Sequence, residues 1–198
     1  MSITNKHNLF RYMVYLNNPE FTPLKADFIL KKSRQLTNSL EIIIRDCRIA
    51  HNFIELDLSI EKKENLWKVL NSLKKIASIK EIIEVKERHL SKTEAIKRAV
   101  VLFNQEKYWW SHEALELVWK EATGQEKQLL NGLILICAGF VHFQKNEDNI
   151  CLSILERAMF KFLNLQDSNY YGININQIKI IIREILENKK IITFKIST

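Results

Sequence analysis

Before residue 90 the spacing of apolar residues switches between a period of two and a period near 3.6, and from Ser91 the pattern turns helical. Side chains alternate faces along a strand and return to one face every three to four residues along a helix, so the two parts cannot build one kind of core. Residues 10–16 place Phe10, Tyr12, Val14 and Leu16 on one side of a strand that Pro19 and Pro23 end. Leu24, Phe28, Ile29 and Leu36 then recur at helical spacing. Residues 40–47 and 53–60 read as strands again, with Ile54, Leu56 and Leu58 opposite Glu55 and Asp57. Residues 64–76 form an amphipathic helix through Leu66, Val69, Leu70 and Leu73, and residues 79–86 close with a short strand. The order strand, helix, strand, strand, helix, strand predicts a ferredoxin-like βαββαβ domain over residues 1–90, with two helices on one sheet face. The whole is an α+β protein, because a helical bundle follows it.

The strand phases put Arg11, Met13, Tyr15, Arg45, Phe53, Glu55, Asp57, Glu84 and Lys86 on the other sheet face. A sheet that reads RNA presents stacked aromatics beside a basic, glycine-bearing strand. The strand over 51–58 has no glycine and two carboxylates, which disfavours RNA on that face. No glycine-rich phosphate loop occurs anywhere in the chain.

Ser91 and Glu94 match a capping box, S-x-x-E, ahead of Ile96, Val100 and Phe103. The pattern places a boundary at 88–90 and an all-helical bundle over residues 91–198, with further helices at 109–122, 126–145, after 149 and at 178–186. Residues 167–176 read as a loop, and 191–196 (IITFKI) as a strand that either returns to the edge of the N-terminal sheet or frays.

Four glycines and two prolines in 198 residues, with 46% hydrophobic residues, fit an ordered, core-forming chain. Cys47, Cys137 and Cys151 fit no metal spacing and are odd in number, so they read as reduced, small hydrophobes. That argues for the cytoplasm, as does a polar stretch over residues 1–8 with no apolar segment and cleavage site after it. The longest apolar run, 133–143, is too short to span a bilayer, and no membrane partner is expected. Of the formal charge of +7, most falls in residues 1–90, which hold 16 basic and 11 acidic side chains. Lys25, Lys31, Lys32 and Arg34 cluster there. A nucleic-acid role for them is the third reading of function, behind a solvated helix face.

The chemistry-bearing stretch is 103–121, FNQEKYWWSHEALELVWKE. On a helix, Trp109, His112, Glu113, Glu116 and Trp119 line one side, with His112 and Glu116 a full turn apart. The motif HExxE is one residue short of the zincin HExxH, in which two imidazoles on one face hold zinc. A glutamate can take the second place, so His112 and Glu116 are metal candidates, with His142 as a third ligand. Asn131, Leu135, Ala138 and His142 form a stripe on the next helix, and an antiparallel hairpin through 123–126 can turn that stripe toward HExxE. Gly132, Ala138 and Gly139 would then permit close approach of the two helices. The competing reading is structural: a buried His and Glu between helices commonly hydrogen-bond each other.

Phe103-Asn104, the aromatics at 108–109, His112-Glu113, Leu115-Glu116 and Trp119, followed by Asn131-Gly132-Leu133-Ile134 and His142, resemble the signature of the domain of unknown function 309 family. The resemblance covers about 95–163. It implies a compact helical bundle found in bacteria and archaea, with no agreed activity, and a polar signature that falls on Asn104, His112, Glu113, Glu116, Trp119, Gly132 and His142. Asn131 and Leu135 stand where the family usually carries glutamine. The first 90 residues lie outside it. The function read from the sequence is a non-catalytic cytoplasmic protein whose bundle holds a pocket of Asn104, His112, Glu113, Glu116, Trp119, Asn131 and His142 for a small ligand or a partner. The alternative is a metal-dependent or acid–base hydrolase that uses the HExxE face, with Glu113 or Glu116 as base. The sequence specifies no cofactor, and it leaves open both the identity of any partner and whether a reaction is catalysed.

Overall fold

The computed structural model describes residues 9–86, 89–163 and 168–197. The polar stretch 1–8, Arg88 of the expected boundary, and Asp167 of the expected loop lie outside them. The described residues fall into two compact units divided between residues 87 and 88, with Gln144–Asn146 grouped with the first.

In the first unit, β1 (Phe10–Asn17), α1 (Ala26–Leu36), β2 (Ile42–Ile49), β3 (Phe53–Ile60), α2 (Leu66–Leu73) and β4 (Ile79–Glu84) build one antiparallel sheet in the order β2-β3-β1-β4. Each neighbouring pair is antiparallel, which is the split βαβ topology that the element order dictates. Tyr12, Val14 and Leu16 of β1 and Ile54, Leu56 and Leu58 of β3 pack with Ile29 of α1 and Val69 and Leu73 of α2.

The opposite face of the sheet carries charge inside the protein. Side chains of β3 are buried at all eight positions, Glu55 and Asp57 included. Arg11 grips Asp57 with Nε to Oδ1 at 2.9 Å and a terminal nitrogen to Oδ2 at 2.6 Å. Arg48 and the Tyr15 hydroxyl both donate to Glu55, and Arg45 donates to Ser59 Oγ at 3.0 and 3.1 Å. Buried carboxylates of this kind persist only when paired, because desolvation otherwise costs several kcal/mol. Simple alternation puts Arg48 on the helix-facing side and Cys47 on the other. The register of β2 on β3 shifts between Ile44 and Asp46, which swaps them: Cys47 enters the core and Arg48 pairs across from Glu55. Glu84 also departs from the expected face. It lies opposite Tyr12 on the helix side, and bonds Lys63 at 2.6 Å.

The second unit holds α3 (Lys92–Asn104), α4 (Tyr108–Glu121), α5 (Gly124–Phe143), α6 (Asp148–Phe162), a two-stranded hairpin of β5 (Asn169–Tyr170) and β6 (Ile173–Asn174), and α7 (Ile175–Asn188). Ser91 caps α3 reciprocally with Glu94. The stretch expected as a loop contains the β5–β6 hairpin, whose turn residues Tyr171 and Gly172 both have positive φ, at 51° and 88°. Gly132 and Gly139 serve a different neighbour from the one anticipated. A Cβ on Gly132 would meet the Phe162 ring at 2.4 Å, and one on Gly139 would meet Leu155 at 3.2 Å, so both glycines admit α6 and not α4. The expected strand over 191–196 is absent among the described residues. Ile191, Phe194 and Ile196 pack instead against the helical core. No helix of the described residues is long and apolar enough to cross a membrane.

Candidate functional site

The core-facing stripe of α4 runs through Tyr108, Ser111, Ala114, Leu115 and Val118, all buried. That stripe fixes the rotation of the helix and leaves Trp109, His112, Glu113, Glu116 and Trp119 on the half-buried side. Two contacts set the level of α4 on α5. Cys137 Sγ donates to Ser111 Oγ at 3.3 Å, and Tyr108 stacks on Phe140 at 5.0 Å between centroids. Ser111 also donates to the Ala99 carbonyl at 2.8 Å, tying α4 to α3. Nothing in the residue pattern marks Ser111 as this junction.

His112, Glu113 and Glu116 each offer a ligand atom within 4.8 Å of the others. His112 and Glu116 meet because they are four apart. Glu113 lies a residue on from His112 and reaches the group by the length of its side chain. Its carboxylate stands 3.7 Å from His112 Nδ1, beyond hydrogen-bond range. His112 Nδ1 is buried and has no hydrogen-bond partner, and the same holds for the indole Nε1 of Trp119. A ring nitrogen so placed loses water and gains nothing in return. The Trp119 ring lies under Lys127 Nζ at 4.6 Å, a cation–π contact that no helical spacing predicts because it crosses from α4 to α5.

Other residues singled out by the sequence are engaged elsewhere. His142 Nδ1 bonds the Glu147 carboxylate across the turn that follows α5. The levels set by Ser111 and Tyr108 place His112 beside residue 136, and His142 is about 9 Å further along the helix at 1.5 Å per residue. Asn104, at the end of α3, bonds the backbone of Ile196 in both directions: Nδ2 donates to its carbonyl at 2.9 Å, and its N–H donates to Oδ1 at 2.7 Å. Asn131 is half-buried on α5. Glu126, unmarked in the sequence, joins Lys92 and the Tyr170 hydroxyl, and the lysine beside it holds its carboxyl below the usual range. A cleft of about 290 Å³ between His89, Lys92, Leu117 and Glu121 does not include the His112 group.

The helices that carry this geometry have relatives. Residues 96–154 match the family described as domain of unknown function (DUF309). The DUF309 segment therefore contains α4 and α5 whole, with His112, Glu113, Glu116, Trp119, Asn131 and His142. An uncharacterized protein of Aquifex aeolicus (strain VF5) is 27% identical over 147 residues, covering 65% of this chain and 44% of the relative. The chain thus spans less than half the length of that protein.

Proposed function

We propose that the DUF309 segment is a ligand-binding module of a cytoplasmic protein, and that its ligand is a divalent transition-metal ion held by His112, Glu113 and Glu116. The observation that carries this reading is the buried, unpartnered Nδ1 of His112 beside two carboxylates. A cation answers both needs at once, since it takes the imidazole lone pair and neutralises the two carboxylates. Imidazole with carboxylate suits zinc, iron or manganese better than calcium or magnesium, which prefer oxygen alone. Metal–ligand bonds of about 2.0–2.2 Å require donor atoms roughly 3–3.5 Å apart, so the group closes from 4.8 Å by rotation of the two glutamate side chains. Three protein donors leave positions open for water or for an acidic ligand. The indole N–H of Trp119, also buried without a hydrogen-bond partner, is suited to bond such a group. The three buried, free thiols support the cytoplasmic assignment, because a reducing compartment keeps them so.

Elemental analysis of the untagged protein, with calorimetric titration of zinc and manganese into metal-stripped protein, tests the reading. About one equivalent bound by the wild type, and none by His112→Ala or Glu116→Gln, is the expected result. Equal binding by wild type and both variants, or no binding by the wild type, overturns it.

A further inference from the structure

Residues 191–197 follow α7 through Lys189, which holds a left-handed backbone at φ 50°, and then run extended over the helical core. No strand pairs with them among the described residues. Two kinds of contact hold the stretch instead. Asn104 reads the backbone of Ile196 at both its N–H and its carbonyl, at 2.7 and 2.9 Å, as one rung of a sheet edge does. Phe194 places its ring 5.2 Å from Phe103 and 5.6 Å from Phe140, in a cluster those two rings form with Tyr108. Ile196 lines the end of a narrow apolar cavity of about 10 Å³ beside Phe103 and Cys137. Thr193 before Phe194, and Lys195 between the two anchors, are exposed.

We infer that the groove between Asn104, Phe103 and Phe140 is a binding site for an extended peptide of the pattern aromatic-x-aliphatic, and that the chain's own residues 191–197 occupy it in cis. The recognition has the two parts such a site needs. An amide fork that accepts and donates to one residue's backbone is indifferent to sequence, and pockets for alternate side chains supply the selection. The groove and its occupant are also separable in sequence. Phe103, Asn104 and Phe140 all lie within the DUF309 match at 96–154, whereas residues 191–197 lie outside it. The three residues that frame the groove therefore come from the matched helices, and Ile173 of β6, outside the match, joins them only in lining the cavity at Ile196. The hold on that peptide is light. One amide and the half-buried Ile191, Phe194 and Ile196 secure it, and Lys189, a non-glycine residue at positive φ, precedes it, so exchange for another segment of the same pattern needs no change in the helices. Asn104 thus acts as a peptide-reading residue, independent of the His112 group.

The test uses the full chain with Phe194→Asp and Ile196→Asp, which empties the groove, and a fluorescent peptide carrying residues 190–197 of the natural sequence. Saturable binding followed by anisotropy is expected. An added Asn104→Ala, or a peptide with alanine at the position of Phe194, should each weaken it about tenfold or more. The wild-type chain should bind the peptide at least about tenfold more weakly than the emptied one, because its own segment competes at an effective concentration on the order of millimolar. Absence of saturable binding to a variant whose circular dichroism is native overturns the inference, and so does binding that Asn104→Ala leaves unchanged. If the double aspartate variant does not fold, a wild-type chain with a protease site inserted after Asn188 replaces it. Once cut, the freed segment should be displaced by excess synthetic peptide. A segment lost on cutting, with no rebinding of the peptide, refutes the site.

Discussion

At the scale of single residues, His112 has a buried ring nitrogen with no hydrogen-bond partner. An imidazole that hydrogen-bonds a carboxylate leaves an orphan behind when it is removed, at a cost of about 1–3 kcal/mol. Here the Nδ1 has no such partner, so His112→Ala in metal-free protein should move stability by less than about 1 kcal/mol. The same substitution should abolish the rise in melting temperature that zinc gives the wild type, since a ligand stabilises only the state that binds it. Thermal melts with and without zinc check both halves. A large loss of stability in metal-free protein would mark His112 as a structural partner and remove the basis of the metal reading. Asn104 and His142 teach the complementary lesson. Both are polar, both belong to the motif, and each makes hydrogen bonds away from the His112 group.

At the scale of elements, the packing of α5 on α6 depends on Gly132. Alanine is the better helix former by about 0.8–1.0 kcal/mol, so an exposed Gly132 would gain from the change. The Phe162 ring sits where the methyl group would be, 2.4 Å from the Cβ position, and the ring is fully buried. Gly132→Ala should therefore destabilise by about 1–3 kcal/mol, as overpacked cores do, and Phe162→Leu in the same chain should recover part of that loss. Urea denaturation of the three variants decides it. A stabilised Gly132→Ala would mean that α6 yields easily. Helical spacing and the S-x-x-E cap were enough to find these helices, because both are local. Spacing alone does not say which neighbour a glycine admits, so the glycines of α5 could be noticed in the sequence but not assigned to α6.

At the scale of the whole molecule, the three thiols form a shared alkaline liability. Cys47 lies in the core of the sheet unit, and Cys137 and Cys151 in that of the helical unit. Burial pushes each thiol up to about 12 from an ordinary value of 9.0. An unfolded chain releases these protons above pH 9 while the folded chain keeps them until about pH 12, so the folded state binds more protons in that window. Stability from this source is complete below about pH 9 and declines as pH rises toward 12, on the order of 1 kcal/mol per pH unit for each buried thiol. Denaturation midpoints between pH 8 and 11 should fall, and the pH dependence of Cys137→Ser, whatever its offset at neutral pH, should depart from that of wild type only above pH 9. The thiols should also resist a disulfide reagent at pH 8 until the protein is unfolded. Fast labelling of native protein would contradict the buried positions.

The sequence by itself determined the βαββαβ order of the first unit, the helices of the second and the α+β class. Alternation, helical spacing and caps are properties of residues within one or two turns of each other, and they act before any tertiary contact forms. It also brought His112, Glu113 and Glu116 together, because one helix turn does so. Only the tertiary structure decided what required a second element. A bulge in β2 moved Cys47 into the core and set Arg48 against Glu55. The level of α4 on α5 kept His142 apart from His112. Residues 191–196 have the alternation of a strand, but a strand exists only beside another. In their place the side chain of Asn104 bonds the backbone of Ile196.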